Sequence, residues 1–227
     1  MNIAAIVVAG GSGKRFGGSI PKQFLTLKGK EIFIRSVEIF HRSSLINRVV
    51  LVVNKNWENL AKKLLIKHDL GSIELVEGGI TRQQSVYKGL KYLENNPPDK
   101  VLIHDAVRPL FNGDQIDVIL NKIKRTCGAV FARAVNETIY KAENNKVIDS
   151  PPREKFWLAE TPQGFVYKEI LEAHKRGLKE SQIATDEVQL YRKYIGEVII
   201  IPSTFPNPKI TTSGDIIFAE TLIDRKK

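Results

Sequence analysis

Apolar runs rich in β-branched residues recur along the chain at residues 3–8, 49–53, 73–76, 101–104, 129–135 and 198–201. Several are apolar throughout instead of alternating with polar residues, which predicts strands covered on both faces. Between them apolar residues return at helical spacing: Ile32, Ile39 and Phe40 in one segment, Leu60, Leu64 and Leu65 in the next, and Val86, Leu90 and Leu93 in a third. Each set suits a helix lying on one face of a sheet. The alternation predicts an α/β fold with a mostly parallel sheet and helices on both faces.

The rhythm breaks at residues 138–149, TIYKAENNKVID, where two strand-like pieces flank Asn144 and Asn145. Asparagine tolerates the positive φ of a tight turn, so a projecting hairpin is expected. Residues 95–99, NNPPD, read as a loop before a strand rather than a linker. Near the end, Ser213 offers a helix cap and Ile216, Ile217, Phe218, Leu222 and Ile223 an apolar surface, followed by Arg225, Lys226 and Lys227. A closing helix with a basic C-terminus is expected. With no internal repeat, 227 residues fit one domain, 1–227, carrying an arm at about residues 136–158.

Composition narrows the class. Hydrophobic residues make up 42% and charged residues 26%, which suits a chain with a substantial core and excludes a mainly disordered one. Lys and Arg total 35 against 25 acidic residues, a net charge of +10 that favours anionic partners. The single cysteine, Cys127, can form neither an internal disulfide nor a cysteine-based zinc cluster, and it precedes an apolar strand as a small packing residue. The first apolar run lacks the basic flank and small-residue cleavage site of a leader, and no run approaches the roughly 18 apolar residues of a membrane helix. A cytoplasmic protein is expected.

The first strand leads into AGGSGKRFGGSIPKQF, residues 9–24, which holds five glycines together with Lys14, Arg15 and Lys22. Glycines let backbone N–H groups approach phosphate oxygens, and Pro21 restricts the backbone that presents Lys22. The spacing fits neither a Walker A loop nor the dinucleotide fingerprint, since Phe16 stands where the third glycine belongs. In LIHDAVRP, residues 102–109, an apolar strand ends at Asp105 with Arg108 three residues later. A carboxylate at the carboxyl end of a parallel strand faces the ligand crevice, where it can bind Mg²⁺, and a neighbouring guanidinium can hold a phosphate. His104, at the strand end, suits an orienting hydrogen bond better than general-base work. EGGITRQQSV, residues 77–86, is a second glycine turn entering a helix, with Ser85 and backbone amides able to read a base or phosphate.

Taken in order, AGGSGKRF, PKQF, EGGITRQQSV, LIHDAVRP, ETIYK, PPREKFW, ETPQGF, ATDEVQL and NPKITTSGD closely resemble the 2-C-methyl-D-erythritol 4-phosphate cytidylyltransferases, across nearly the whole chain. The resemblance implies a Rossmann-like nucleotidyltransferase sheet and a homodimer clasped by an extended β-arm. It implies attack of a sugar-phosphate oxygen on the α-phosphate of CTP, with Mg²⁺ bridging the triphosphate and pyrophosphate leaving. Carried over block by block, Arg15 and Lys22 stabilise the transition state and Lys209 lies near the reacting phosphates. Gly11 and Gly13 pack against the triphosphate, while Ala9, Gly10, Gly78 and Ser85 line the cytosine pocket. Asp105 falls near the metal and the substrate hydroxyls, with Arg108 beside it, and Thr138, Arg153 and Thr161 hold the methylerythritol phosphate. The arm residues are supplied across the dimer interface.

Gly10 and Val107 also resemble the ribitol-5-phosphate cytidylyltransferases, which makes ribitol phosphate the alternative polyol; Trp157 and ATDEVQL resemble the methylerythritol enzymes better. Asn136, Glu137 and Glu160 also depart from the commonest pattern. Of the other classes, a nucleic-acid-binding domain would concentrate its basic residues on one stripe, and these are spread widely. A nicotinamide-dependent dehydrogenase would keep the third glycine.

Overall fold

In the computed structural model, which describes residues 1–11 and 20–225, the first apolar run forms β1 (Ile3–Ala9), buried along its whole length. Its side chains divide by parity, Ile3, Ala5, Val7 and Ala9 entering one core and Ala4, Ile6 and Val8 the other. That is why the run shows no polar alternation: both faces are covered. A two-stranded hairpin, β2 (Thr26–Leu27) with β3 (Lys30–Glu31), leads into α1 (Ile32–His41), and β4 (Arg48–Val53), α2 (Glu58–Lys67), β5 (Glu74–Glu77), α3 (Arg82–Tyr92) and β6 (Lys100–Asp105) follow in βα rhythm. The three helical spacings read above correspond to α1, α2 and α3.

After α4 (Ile116–Lys122) and β7 (Cys127–Ala134), the chain leaves the sheet and forms a separate hairpin of β8 (Lys141–Glu143) and β9 (Lys146–Asp149). Asn144 and Asn145 turn it at φ 49° and 61°, in the left-handed region expected of them. The chain returns as β10 (Trp157–Val166), then α5 (Tyr167–Lys179), α6 (Glu187–Tyr194), β11 (Glu197–Pro202) and α7 (Ser213–Asp224). The sheet order is β11-β7-β10-β6-β1-β4-β5. β10 runs antiparallel to both β6 and β7, and the remaining pairings are parallel.

Two sequence readings need amendment. PPREKFW and ETPQGF, read as site segments, contain most of the ten-residue strand β10, which enters the middle of the sheet across an irregularity between Ala159 and Gln163 and contains the cis Thr161–Pro162 bond. Its polar residues at Glu160, Thr161 and Gln163 are all buried, and so hid a strand behind a polar sequence. Ser213 is not the cap of α7: it is the first helical residue, and Thr212 forms a capping box with Asp215. α1, α2 and α4 cover one face, where Phe33, Phe40, Leu65 and Ile119 are buried, and α3, α5 and α6 cover the other with Leu90, Tyr167, Ile170 and Tyr191. α7 is set apart, packing through Ala219 on Leu27, Ile32, Val107 and Ile210.

Candidate active site

Parallel register sets the carboxyl ends of the central strands on one rim. Val8 lies beside Asp105, Ala9 beside Val53, and Val53 beside Glu77, so the loops after β1, β5 and β6 open side by side. The first residues after β1 are held by Gln23, almost fully buried, whose amide donates to the carbonyls of Ala9 at 2.7 Å and Gly11 at 2.8 Å. Lys22 opens the short 3₁₀ turn that carries Gln23.

Gly10, Gly78 and Ser85 meet behind this rim. A Cβ on Gly10 would lie 2.8 Å from the Ser85 hydroxyl, and one on Gly78 3.1 Å from it, so glycine lets both loops close on α3. Ser85 is buried, accepts from the Gly79 N–H at 3.0 Å and bonds the Thr81 carbonyl at 2.9 Å. Its hydroxyl shapes the glycine turn, while Thr81 caps α3 by accepting from the Gln84 N–H. Val107, the other variant shared with the ribitol enzymes, is a core residue beside Leu27 and Ile210. The close Ser85 hydroxyl accounts for Gly10.

Asp105 is the electrostatic centre. Its Oδ1 accepts from Arg82 Nε at 2.9 Å, and its Oδ2 lies 2.7 Å from Lys209 Nζ. Burial pushes the carboxyl pKa up, but Arg82 and Lys209 outweigh it and hold the group well below the usual carboxylate range. Asp105 is therefore ionised at any pH where the protein works. Lys209 is 40% exposed at its side chain, against 9% for Asp105, so it is the partner with access to a ligand.

Beneath this carboxylate runs a chain of oriented bonds. The Asp105 N–H donates to Thr161 Oγ1 at 3.1 Å, Thr161 Oγ1 lies 3.0 Å from His104 Nδ1, and His104 Nε2 lies 3.0 Å from the Arg108 carbonyl. A carbonyl can only accept, so Nε2 carries the proton and Nδ1 accepts from the threonine. His104 is fully buried between Phe40 and Phe111, and burial lowers its pKa to about 4. It is neutral, with both nitrogens engaged, which matches the orienting role. Arg108 is turned inward too: it donates to the carbonyls of Asn207 at 2.6 Å and Ala159 at 3.1 Å, and Asn207 donates to the Thr161 carbonyl at 2.8 Å. It straps the 207–210 segment, and with it Lys209, onto β10.

The structure thus unites Ala9, Gly10, Gly11, Gly78 and Ser85 along one rim and Asp105, Arg108, Thr161 and Lys209 in one network. Arg15 and Gly13 lie outside the described residues. Arg153 is at the base of the hairpin, donating to the Asn136 carbonyl at 2.7 Å, and Thr138 is exposed. Sequence reading missed Gln23, Arg82 and Glu187. Arg82 left a legible sign, because a cation in the first turn of a helix opposes the macrodipole and demands anionic partners. Among the described residues no cluster of three or more His, Cys, Asp or Glu is placed to hold a metal, and no helix is long and apolar enough to cross a membrane.

The family model described as 2-C-methyl-D-erythritol 4-phosphate cytidylyltransferase matches residues 3–225. Proteins of that name from Shouchella clausii and Geobacter metallireducens are 33% and 34% identical, each aligned over 100% of this chain and 99% of their own. Among solved structures, 4-diphosphocytidyl-2C-methyl-D-erythritol synthase from Anaerococcus prevotii superposes with a TM-score of 0.84 at 29% identity, covering 99% of this chain and 96% of that one. The Francisella tularensis 2-C-methyl-D-erythritol 4-phosphate cytidylyltransferase gives 0.83 at 28%, covering 98% of this chain and 100% of that one.

Proposed function

This chain belongs to the 2-C-methyl-D-erythritol 4-phosphate cytidylyltransferase family, and on that premise we propose how its own residues carry the reaction. It transfers the cytidylyl group of CTP to 2-C-methyl-D-erythritol 4-phosphate. An ionised phosphate oxygen of the polyol attacks the α-phosphorus of CTP as the bond to the β-phosphate bridging oxygen breaks, giving 4-CDP-2-C-methyl-D-erythritol and pyrophosphate. The nucleophile already bears its negative charge, so no general base is needed, and the protein supplies position and fixed positive charge. The observation that carries this reading is the ionised Asp105, held between Arg82 and Lys209 beside the glycine turns at the carboxyl ends of the strands.

CTP lies along the loops after β1 and β5, with Gly11 and Gly13 against the triphosphate and Ala9, Gly10 and Gly78 around the base. Arg15 and Lys22 stabilise charge on the α-phosphate, and Lys209 receives the polyol phosphate. An Mg²⁺ ion, when bound, neutralises the triphosphate. Asp105 would hold it through one hard, ionised oxygen on the side of Lys209, and the ion would supply positive charge against the phosphates. Two copies of the chain form a homodimer through the arm, so that Thr138 and Arg153 complete a neighbour's site, and the enzyme works in the cytoplasm. The half-buried free thiol of Cys127 accords with that compartment.

Pyrophosphate release from CTP and Mg²⁺, with methylerythritol phosphate and ribitol phosphate in parallel, tests the assignment. Turnover is expected with the former, and turnover only with the latter would overturn the choice of polyol. Lys22→Ala should lose on the order of 100-fold or more in kcat while keeping a native circular dichroism spectrum. Near-normal kcat would remove its assigned role.

A further inference from the structure

Arg82 is the first residue of α3, where a positive charge faces the positive end of the helix dipole. Its guanidinium offsets that conflict by bridging two carboxylates from distant parts of the chain: Nε donates to Asp105 Oδ1 at 2.9 Å, and Nη1 contacts both oxygens of Glu187 at 2.9 Å. Glu187 is 1% exposed, at the first turn of α6. Its location is itself held: Gln163 of β10 accepts from the Glu187 N–H at 3.2 Å and donates to Asp186 at 3.0 Å. The preceding loop is tied to α3 as Gln83 accepts from the Ala184 N–H and donates to the Gln182 carbonyl, both at 3.0 Å. His174 of α5, 3.9 Å from Glu187, is fully buried with neither ring nitrogen bonded, and burial lowers its pKa to about 3. It stays neutral, which leaves Arg82 as the cation paired with Glu187.

A guanidinium beside a triphosphate site would ordinarily be expected to bind phosphate. This one gives Nε and Nη1 to carboxylates, and its rigid fork makes the pairing directional. The effect on Asp105 is to make its two oxygens unequal: Oδ1 is locked towards α3, and Oδ2 is left facing exposed Lys209. An ion pair that only fastened α6 to α3 would not need to reach Asp105.

Resting on the function proposed above, we propose that Arg82, anchored by Glu187, is a positioning residue that fixes the Asp105 carboxylate so that its other oxygen holds the Lys209 ammonium in place for the polyol phosphate. Glu187 acts on the reaction through Arg82, from α6, without touching either substrate. Arg82 touches neither reacting group.

The test measures steady-state kinetics and CTP binding for the full chain and for Glu187→Gln, Arg82→Lys and the double variant. Glu187→Gln keeps the size of the side chain and should lower kcat/KM for the polyol phosphate by about 10–100-fold, with the dissociation constant for CTP within about twofold. Arg82→Lys keeps the charge but cannot bridge both carboxylates, and the double variant should be no worse than Arg82→Lys alone, because Glu187 then has no route to Asp105. Glu187→Gln kinetics within about twofold of the parent, with only the melting temperature lowered, would make the pair a structural clamp and overturn the inference. Equal losses in CTP affinity would also overturn it, placing the effect on the glycine turn. If Glu187→Gln fails to fold, Arg82→Lys decides by the same split between polyol and CTP. A parent chain inactive with both polyol phosphates would overturn the function proposed above and this inference together.

Discussion

The rim of the sheet and the arm carry the two halves of the proposed site, and they are built in opposite ways. At the rim, Asp105, Thr161, His104 and Glu187 are buried, and every predicted side chain found there is bonded to backbone or to an opposite charge. On the arm every residue of β8 and β9 is exposed, including apolar Val147 at 60% and Ile148 at 49%, with Tyr140 beside them at 62%. A two-stranded hairpin is marginal alone in water, so these apolar side chains want a second surface. The difference teaches that one half of the proposed site is preorganised by the chain's own core, while the other has no core of its own, as the proposed homodimer requires.

The largest effect that would break this comparison is complementation between protomers. Asp105→Asn disables the rim and Arg153→Ala the arm, and each alone should lose on the order of 100-fold in kcat/KM. If the site is shared, mixing the two variants and allowing exchange should restore about a quarter of parental activity, since half of a random mixture is heterodimer with one intact site. No recovery, in a mixture shown by sedimentation to contain heterodimers, would place each arm in its own protomer's site.

A smaller effect belongs to the rim. His104 is pushed down to about 4 and His174 to about 3 in the fold, so the unfolded chain takes up protons first as pH falls. Their contribution is complete above about pH 6.5 and is lost on the way to their folded values, about 3 kcal/mol for His104 between pH 6.5 and 4. Urea denaturation across that range should show the fall, and His104→Gln should flatten it by about that amount. An unchanged pH dependence would mean that His104 titrates normally in the fold.

The smallest effect belongs to the arm. Asn145→Ala, at φ 61°, should loosen the hairpin by about 1 kcal/mol and speed proteolytic nicking there. The global melting temperature should move by less than about 1 °C, because the arm opens locally. A larger fall would show that the hairpin is part of the core's cooperative unit.

Much of this was legible from residue order. Doubly covered strands reveal themselves as unbroken apolar runs, and a hairpin as Asn144 and Asn145 between strand-like pieces. β10 was not legible as a strand, because its buried Glu160, Thr161 and Gln163 look like surface residues until their partners across the sheet are known. The two backbone carbonyls to which Arg108 donates, 51 and 99 positions away, were likewise not legible.

The local alphabet of the chain, its periodicities and ordered motifs, determined the layered α/β plan and the family, since those depend on neighbours within a few residues. Which charges meet was decided only by tertiary structure. Arg82, Asp105, Glu187 and Lys209 are separated by 23 to 105 positions in their bonded contacts, and it is parallel register, the reversed β10 and the docking of α6 that bring them within 3 Å. Coulombic attraction falls off with distance and with the water between charges, so the same residues are indifferent to one another until the fold removes both.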